Sequence, residues 1–403
     1  MSKRQFLALF LCNLVMWTIG YGITPLLPVQ AAGLGAGQAL AGGCLALSQL
    51  AMVAGTMTAG WLSGRFRCGR ISPVVAGLVF APGLWLMGRA TTPAGLAATM
   101  TLAFFCAGVV LASNSITAGL CARENERGKV FGLLALAVAF GALLGGALAG
   151  PLAARWGYPS MYAILALMSL LGPLAGLLWE EQEAGPAPRP KAASAARGAG
   201  LGKSFYLLFA ASLGASVAGF VLFAGRSFVM ADLGFDAAAL TTAGSIGSAL
   251  ALPVPLLAGW LSDRMGRKRF MAFSFLATTA GLAVLSASTA LWHFWAASML
   301  FTLSNAGGPV TNALVTDLLP RESLGRGLAI FNSTTWLGGI AGCALTGLAA
   351  QSVGMTPTLL AGACLPLIAV GLLAAAGQRG HDRRPLPLPA GTTSSAGAQP
   401  ATA

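Results

Sequence analysis

Long apolar runs alternate with short polar breaks from one end of this chain to the other. Twelve runs, each about 20 residues and so able to cross a bilayer core as a helix, fall at roughly 5–29, 38–62, 71–88, 94–121, 129–153, 159–179, 204–228, 237–261, 270–288, 292–318, 326–350 and 356–376. Apolar positions within them recur with a helical period or none, whereas a membrane barrel would alternate at every second residue. The pattern predicts an all-α membrane protein. The one long polar connection, 180–203, begins E-E-Q-E-A-G-P-A-P-R-P-K and continues as an Ala/Gly/Ser stretch. It predicts a flexible linker between an N-terminal six-helix bundle (1–179) and a C-terminal one (204–377). The Pro-, Ala- and Thr-rich tail, 378–403, has the composition of a disordered segment.

A repeat relates the two bundles. Residues 60–71 read G-W-L-S-G-R-F-R-C-G-R-I and residues 259–270 read G-W-L-S-D-R-M-G-R-K-R-F, an offset of 199 positions. Each copy is a short basic loop between two spans. The same offset sets Leu34-Gly35 on Leu233-Gly234, Gly108 on Gly307 and Arg127-Gly128 on Arg326-Gly327 without a gap. The prediction is therefore two pseudo-symmetric halves, side by side in the membrane, with a path between them. Small residues such as Gly141, Gly145 and Gly146 in run five, and Gly338, Gly339 and Gly342 in run eleven, suit close approach of helix backbones.

Composition sharpens this picture. Charged residues make up 9% of the chain, against about 25% in a soluble domain, so there is too little polar surface for water. The net charge of +13 raises the question of a nucleic-acid partner, and its distribution answers it. If both termini are cytoplasmic, 21 of the 24 Lys and Arg residues fall in the tails and the loops of that side; Arg89, Arg155 and Arg226 are the exceptions. That is a topology signal with attraction to anionic lipid headgroups, not a nucleic-acid surface. The apolar run after Lys3-Arg4 is too long for a secretory signal core and reads as an uncleaved first span. The seven Cys lack paired or metal-ligand spacing. No phosphate loop, dinucleotide fingerprint, metalloprotease motif or Ser/His/Asp cluster occurs, which argues against an enzyme and against any bound cofactor or metal.

The block G-W-L-S-D-R-M-G-R-K-R-F resembles the loop signature of the major facilitator superfamily, G-x-L-x-D-R-x-G-R-[KR]-x, and stands between runs eight and nine as it does there. Its partner between runs two and three has Gly64 where that signature has Asp. Y-G-I-T-P-L-L-P at 21–28, followed by Leu34-Gly35-Ala36, is similar to the drug- and metabolite-efflux branches, and G-A-L-L-G-G at 141–146 carries Ala142 where antiporters of that type favour Pro. The resemblance implies twelve helices in two bundles in a bacterial inner membrane, functioning as a monomer. It also implies a secondary carrier of organic small molecules, a proton-coupled exporter first of all. An uncoupled facilitator or an uptake symporter for a sugar or metabolite is the alternative, and a non-transporting receptor a remote one. It makes Asp263, Arg264 and Arg267, with Arg65 and Arg70 of the first half, gate residues, Asp263 pairing with Arg264 or Arg267.

Polar side chains at membrane depth are costly and therefore candidates for function. Asn13, Trp17 and Tyr21 follow one another at i, i+4 and i+8, and Gln49, Asn114, Asn305 and Asn312 are further uncharged candidates for a central cavity. Each is weighed against an interhelical hydrogen bond, typically about 0.6 kcal/mol in a membrane protein. Arg226 lies far along run seven, where pairing with Asp232 or Asp236 at the outer rim competes with a solute or anion role. No Asp, Glu or Lys falls near the centre of any run. A coupling proton would then need a peripheral acid such as Asp317, whose competing role is structural pairing. His293 reads as an interface residue.

Overall fold

The computed structural model describes residues 3–66, 71–121, 127–177, 201–250, 253–319 and 321–376. The linker and tail expected at 180–203 and 378–403 lie, but for 201–203, outside the described residues. Helices account for nearly all of the rest, as they must where lipid offers the backbone no hydrogen-bond partner. Pass one is α1 (Lys3–Ile23), a 3-10 turn (Thr24–Leu26) and α2 (Leu27–Gly33). Passes two to four are α3 (Gln38–Phe66), α4 (Ile71–Gly88) and α5 (Pro93–Cys121). The long α6 (Arg127–Ser169) holds pass five and most of pass six, which α7 (Leu171–Leu177) completes. Gly157, at φ 76°, turns the chain between them.

The second half repeats the plan. Pass seven is α8 (Lys203–Asp232), nine is α11 (Arg267–Ser286), eleven is α14 (Arg321–Val353) and twelve is α15 (Met355–Ala375). Pass eight, expected as one helix, is described as α9 (Ala237–Ala249) and α10 (Val254–Met265), with 251–252 outside the described residues. Val254 N–H donates to Leu250 O at 3.1 Å, the spacing of a continuing helix. Pass ten is α12 (Leu291–Asn305) followed by α13 (Gly307–Leu318). They meet at Ala306, next to Gly307 and Gly308, and glycine is a weak helix former. At the 199 offset the first half has Gly108 and Val109, and α5 runs unbroken.

Passes one and seven end alike. Gly35 (φ 88°) and Gly234 (φ 75°) adopt the left-handed conformation. Ala36 N–H then donates to Ala31 O at 3.0 Å and Phe235 N–H to Met230 O at 3.0 Å, the helix stop that glycine permits. The same bonds at positions 199 apart are the repeat made visible.

Two seams join the halves, α3 against α14 and α6 against α9. A Cβ on Gly42 would stand 2.7 Å from the Cys343 carbonyl oxygen and 2.7 Å from Gly347 Cα, so these backbones touch where side chains are absent. Gly146 and Gly150 of α6 likewise meet Thr241, Ser245 and Ala237 of α9, and Ser245 Oγ donates to Leu143 O at 3.2 Å. All of these contacts lie toward the end that holds the 34–37 and 233–236 turns. At the other end, beside the basic loops, α10 packs mainly on α11 and α13 of its own half. Among the described residues, the close backbone contacts between the halves gather at the end that holds these turns.

Candidate functional site

Where the halves part, they enclose a cavity of about 510 Å³. Tyr21 and Thr24 of pass one stand toward the seam end, and Met271 and Phe331 toward the basic loops. The walls differ in chemistry. The first half lends Trp17 and Tyr21, with ring centroids 5.4 Å apart, and little polarity beyond Gln49 and Thr24. The second half lends Ser212, Ser216, Asn305, Thr311, Asn312 and Asn332 beside the rings of Phe220, Phe223 and Phe301. Asn312 Oδ1 is buried without a hydrogen-bond partner, an acceptor open to a donor in the cavity.

Asn305 ends α12 and Asn312 lies within α13; seven residues apart, they share a helix face, and both line the cavity. Asn332, Thr335 and Trp336 of α14 also line the cavity and were not among the sequence candidates. Their spacing on an amphipathic stretch was the available signal.

Two of the expected cavity residues lie elsewhere. Asn13 Nδ2 donates to Leu134 O of α6 at 3.3 Å, and Asn114 Nδ2 to Cys12 Sγ at 3.3 Å, both buried between helices of the first half. Successive residues of an α-helix are about 100° apart, so Asn13 sits about 80° round the helix from Tyr21 and turns to α6 while Trp17 and Tyr21 meet the cavity. The first half also buries a polar pair that the sequence did not suggest: Tyr162 Oη donates to Gln30 Oε1 at 2.8 Å, and Gln30 Nε2 to Met87 O at 3.0 Å.

Arg226 departs most from expectation. It does not pair with Asp232 or Asp236 at a rim; it is buried, 5% exposed, beside a second cavity of about 330 Å³. Asp232 accepts from Gln38 Nε2 at 3.5 Å, and Asp236 accepts from Ala239 N–H at 2.8 Å as the N-cap of α9. Both acids are held by neighbours other than the guanidinium.

At the basic end, Arg267 forms an ion pair with Asp317 of α13 and donates to Ala313 O at 3.0 Å. Arg264 stacks over Trp260, 4.0 Å from the ring centroid. The side chains of Asp263 and Arg65, and the whole of Arg70, lie outside those described. Arg267 and Asp317 belong to the same half, so their pair braces that half and does not bridge to the other. His293 Nδ1 accepts from Ala290 N–H at 3.2 Å and caps α12, away from both cavities.

Twelve passes in two related halves, closed at one end over a central cavity, define a membrane transporter. The sequence profile of the Major Facilitator Superfamily matches residues 9–252 and 205–400, and the chain belongs to that family. It is similar to the class C tetracycline resistance protein of Escherichia coli, 30% identical over 139 residues, which are 34% of this chain and 35% of that one. The class E protein of Escherichia coli is 28% identical over 109 residues, 27% of each chain. The matches thus span about a third of those relatives' length. Among solved structures, an auto-inhibited POT family peptide transporter superposes with TM-score 0.74 at 14% identity, covering 95% of this chain and 99% of that one. A bacterial homologue of the human lysosomal transporter Spinster, inward-facing and unoccupied, gives TM-score 0.72 at 16% identity, covering 93% and 98%. At such identities the likeness speaks for the fold alone.

Proposed function

We propose that this transporter exports an organic small molecule, loading it from the basic-loop side and releasing it at the opposite side by alternating access. The observation that carries this reading is the unequal seam: among the described residues, Gly42 meets Gly347 and Gly146 meets Thr241 and Ser245 toward one end, with a cavity of about 510 Å³ between the halves. The concentration of Lys and Arg beside the open end supports placing that side in the cytoplasm of a bacterial inner membrane, with both termini there. The resistance proteins among its relatives support outward transport. In this reading 1–179 and 204–377 rock against each other, 180–203 tethers them, and the working unit is a monomer in lipid. Asp263, with the basic residues of both loops, latches the cytoplasmic ends when they close.

The proton is the coupling ion in this reading, exchanged at Asp317. That carboxylate is 57% exposed at the open end, and its partner Arg267 is part of the gate loop. Protonation would release Arg267 for contacts across the gate, linking the acid to the conformational change. A carrier driven by the solute gradient alone is the second reading, favoured because no Asp, Glu or His is among the described residues lining either cavity. Proteoliposomes with an imposed pH gradient separate the two. Proton coupling predicts accumulation that Asp317→Asn abolishes while solute exchange persists. Gradient-driven accumulation undiminished in Asp317→Asn would exclude this acid, and absence of exchange by the native chain would exclude the carrier.

A further inference from the structure

The main cavity continues past its aromatic wall. Tyr21, Phe223, Phe301 and Asn305 are shared by its lining and that of the second, 330 Å³ cavity, which lies toward the seam. Arg226 faces this inner chamber. Its Nη1 donates to Ser298 Oγ at 2.6 Å, and that hydroxyl in turn donates to Phe294 O at 2.7 Å. Nε is buried with no hydrogen-bond partner. The guanidinium lies 5.9 Å from the Phe223 ring centroid and rests on Gly244, where a Cβ would stand 3.2 Å from Nη2. Arg226 has no carboxylate partner among the described residues, and no Asp or Glu is among the described residues that line either chamber.

A buried cation in a membrane is costly unless an anion meets it, and one serine hydroxyl does not neutralise it. The charge is unpaired, it borders a cavity with room for a ligand, and it is the one Lys or Arg among the described lining residues. We propose that Arg226 docks the transported solute, and that this solute is an organic monoanion. Its carboxylate pairs with the guanidinium in the inner chamber, while its apolar body lies between Phe223, Phe301 and the Trp17–Tyr21 face of the main cavity.

The proposal rests on the carrier reading above and adds the solute's charge. The planar fork of arginine matches the two oxygens of a carboxylate. A single cation balances a single negative charge; a phosphate dianion would leave one charge uncompensated in low dielectric. A cationic solute would meet like-charge repulsion in the same chamber. The flanking rings select an aromatic or otherwise apolar body over a small inorganic ion.

The full chain in detergent tests this by binding of 2-naphthoate, its neutral amide and the corresponding naphthylmethylammonium, read by thermal shift and tryptophan fluorescence. Sodium chloride and inorganic phosphate are separate arms. Naphthoate should bind and stabilise the native chain while the amide, the amine and both inorganic anions do not. Arg226→Gln should weaken naphthoate by at least about thirty-fold, the loss typical of removing one member of a buried charged pair. Arg226→Lys, which keeps the charge without the fork, should fall between, and Gly244→Ala, which crowds the guanidinium without deleting it, should also weaken binding. These two variants keep the test open if the glutamine variant fails to fold. No binding of naphthoate, equal binding of the amide or amine, an equal shift with either inorganic anion alone, or full affinity in folded Arg226→Gln overturns the proposal. Spin-label distances across the basic end report the carrier reading separately. A chain that alternates between open and closed ends yet ignores naphthoate loses the anion assignment alone.

Discussion

The two halves share a plan and diverge in chemistry. The 199-residue offset overlays their loops and their glycine-terminated first passes, yet the first half keeps pass four as the unbroken α5 where the second interrupts pass ten at Ala306. The first half turns Asn13, Asn114 and Gln30 inward upon itself; the second directs Asn305, Thr311 and Asn332 at the cavity and buries Arg226 beside it. One half lines the cavity chiefly with apolar and aromatic side chains, the other with amides and hydroxyls beside its rings. In the carrier proposed above, the repeated fold would supply the rocking geometry and the polar side chains of one copy the selectivity.

The largest expected effect breaks what the halves have in common, their seam. Gly42→Val places branched carbons against the Cys343 carbonyl and Gly347, with no flexible side chain there to yield. Overpacking of this kind costs about 1–3 kcal/mol, which lowers occupancy of the joined state by roughly five- to 150-fold. Transport should fall by a similar factor, and spin labels at the 34–37 and 353–355 turns should move apart. Unchanged label distances with full transport would show that this contact does not hold the closed end.

A middle-sized effect sharpens the contrast between walls. Asn305→Leu and Asn312→Leu in the second half should each lower solute affinity by about ten-fold, the value of one or two neutral hydrogen bonds in a dry site. Gln49→Leu in the first half should cost less than about three-fold, since its wall is chiefly aromatic. Equilibrium binding on the purified variants measures all three. Equal losses in the two halves would erase the division of labour.

Much of this architecture was legible in the chain. Period, span length and the duplicated loop fixed twelve helices in two bundles, because lipid leaves the backbone few choices. Gly307-Gly308 also foretells the interruption of pass ten, where the first half has Gly108 and Val109. The faces of the helices were less accessible. Counting residues along run seven gave Arg226 a depth but not a direction, and it is the absence of a side chain at Gly244, on another helix, that makes room for the guanidinium. Gly244 lies on the next helix, and nothing in its own sequence context marks it as facing Arg226. Likewise Asp317 reads as a peripheral acid, and only its ion pair with Arg267, at the start of α11, shows what it faces.

The smallest effect tests the inward-turned polar groups of the first half. Asn13 donates to a carbonyl already within a helix, and Asn114 makes one weak contact to a thiol while its Oδ1 has no partner. Replacing Asn13 by Leu removes a single interhelical bond, about 0.6 kcal/mol on average in membrane proteins. Asn114→Leu also removes an unsatisfied buried acceptor, whose desolvation cost of about 1–3 kcal/mol offsets the lost contact, so it should be neutral or slightly stabilising. Thermal unfolding of the purified chain should show a small decrease for Asn13→Leu and no decrease for Asn114→Leu. Solute affinity should stay within about two-fold in both, because neither side chain reaches the cavity. A ten-fold loss of affinity in folded Asn114→Leu would return that amide to the solute path and make the first half a recognising wall after all.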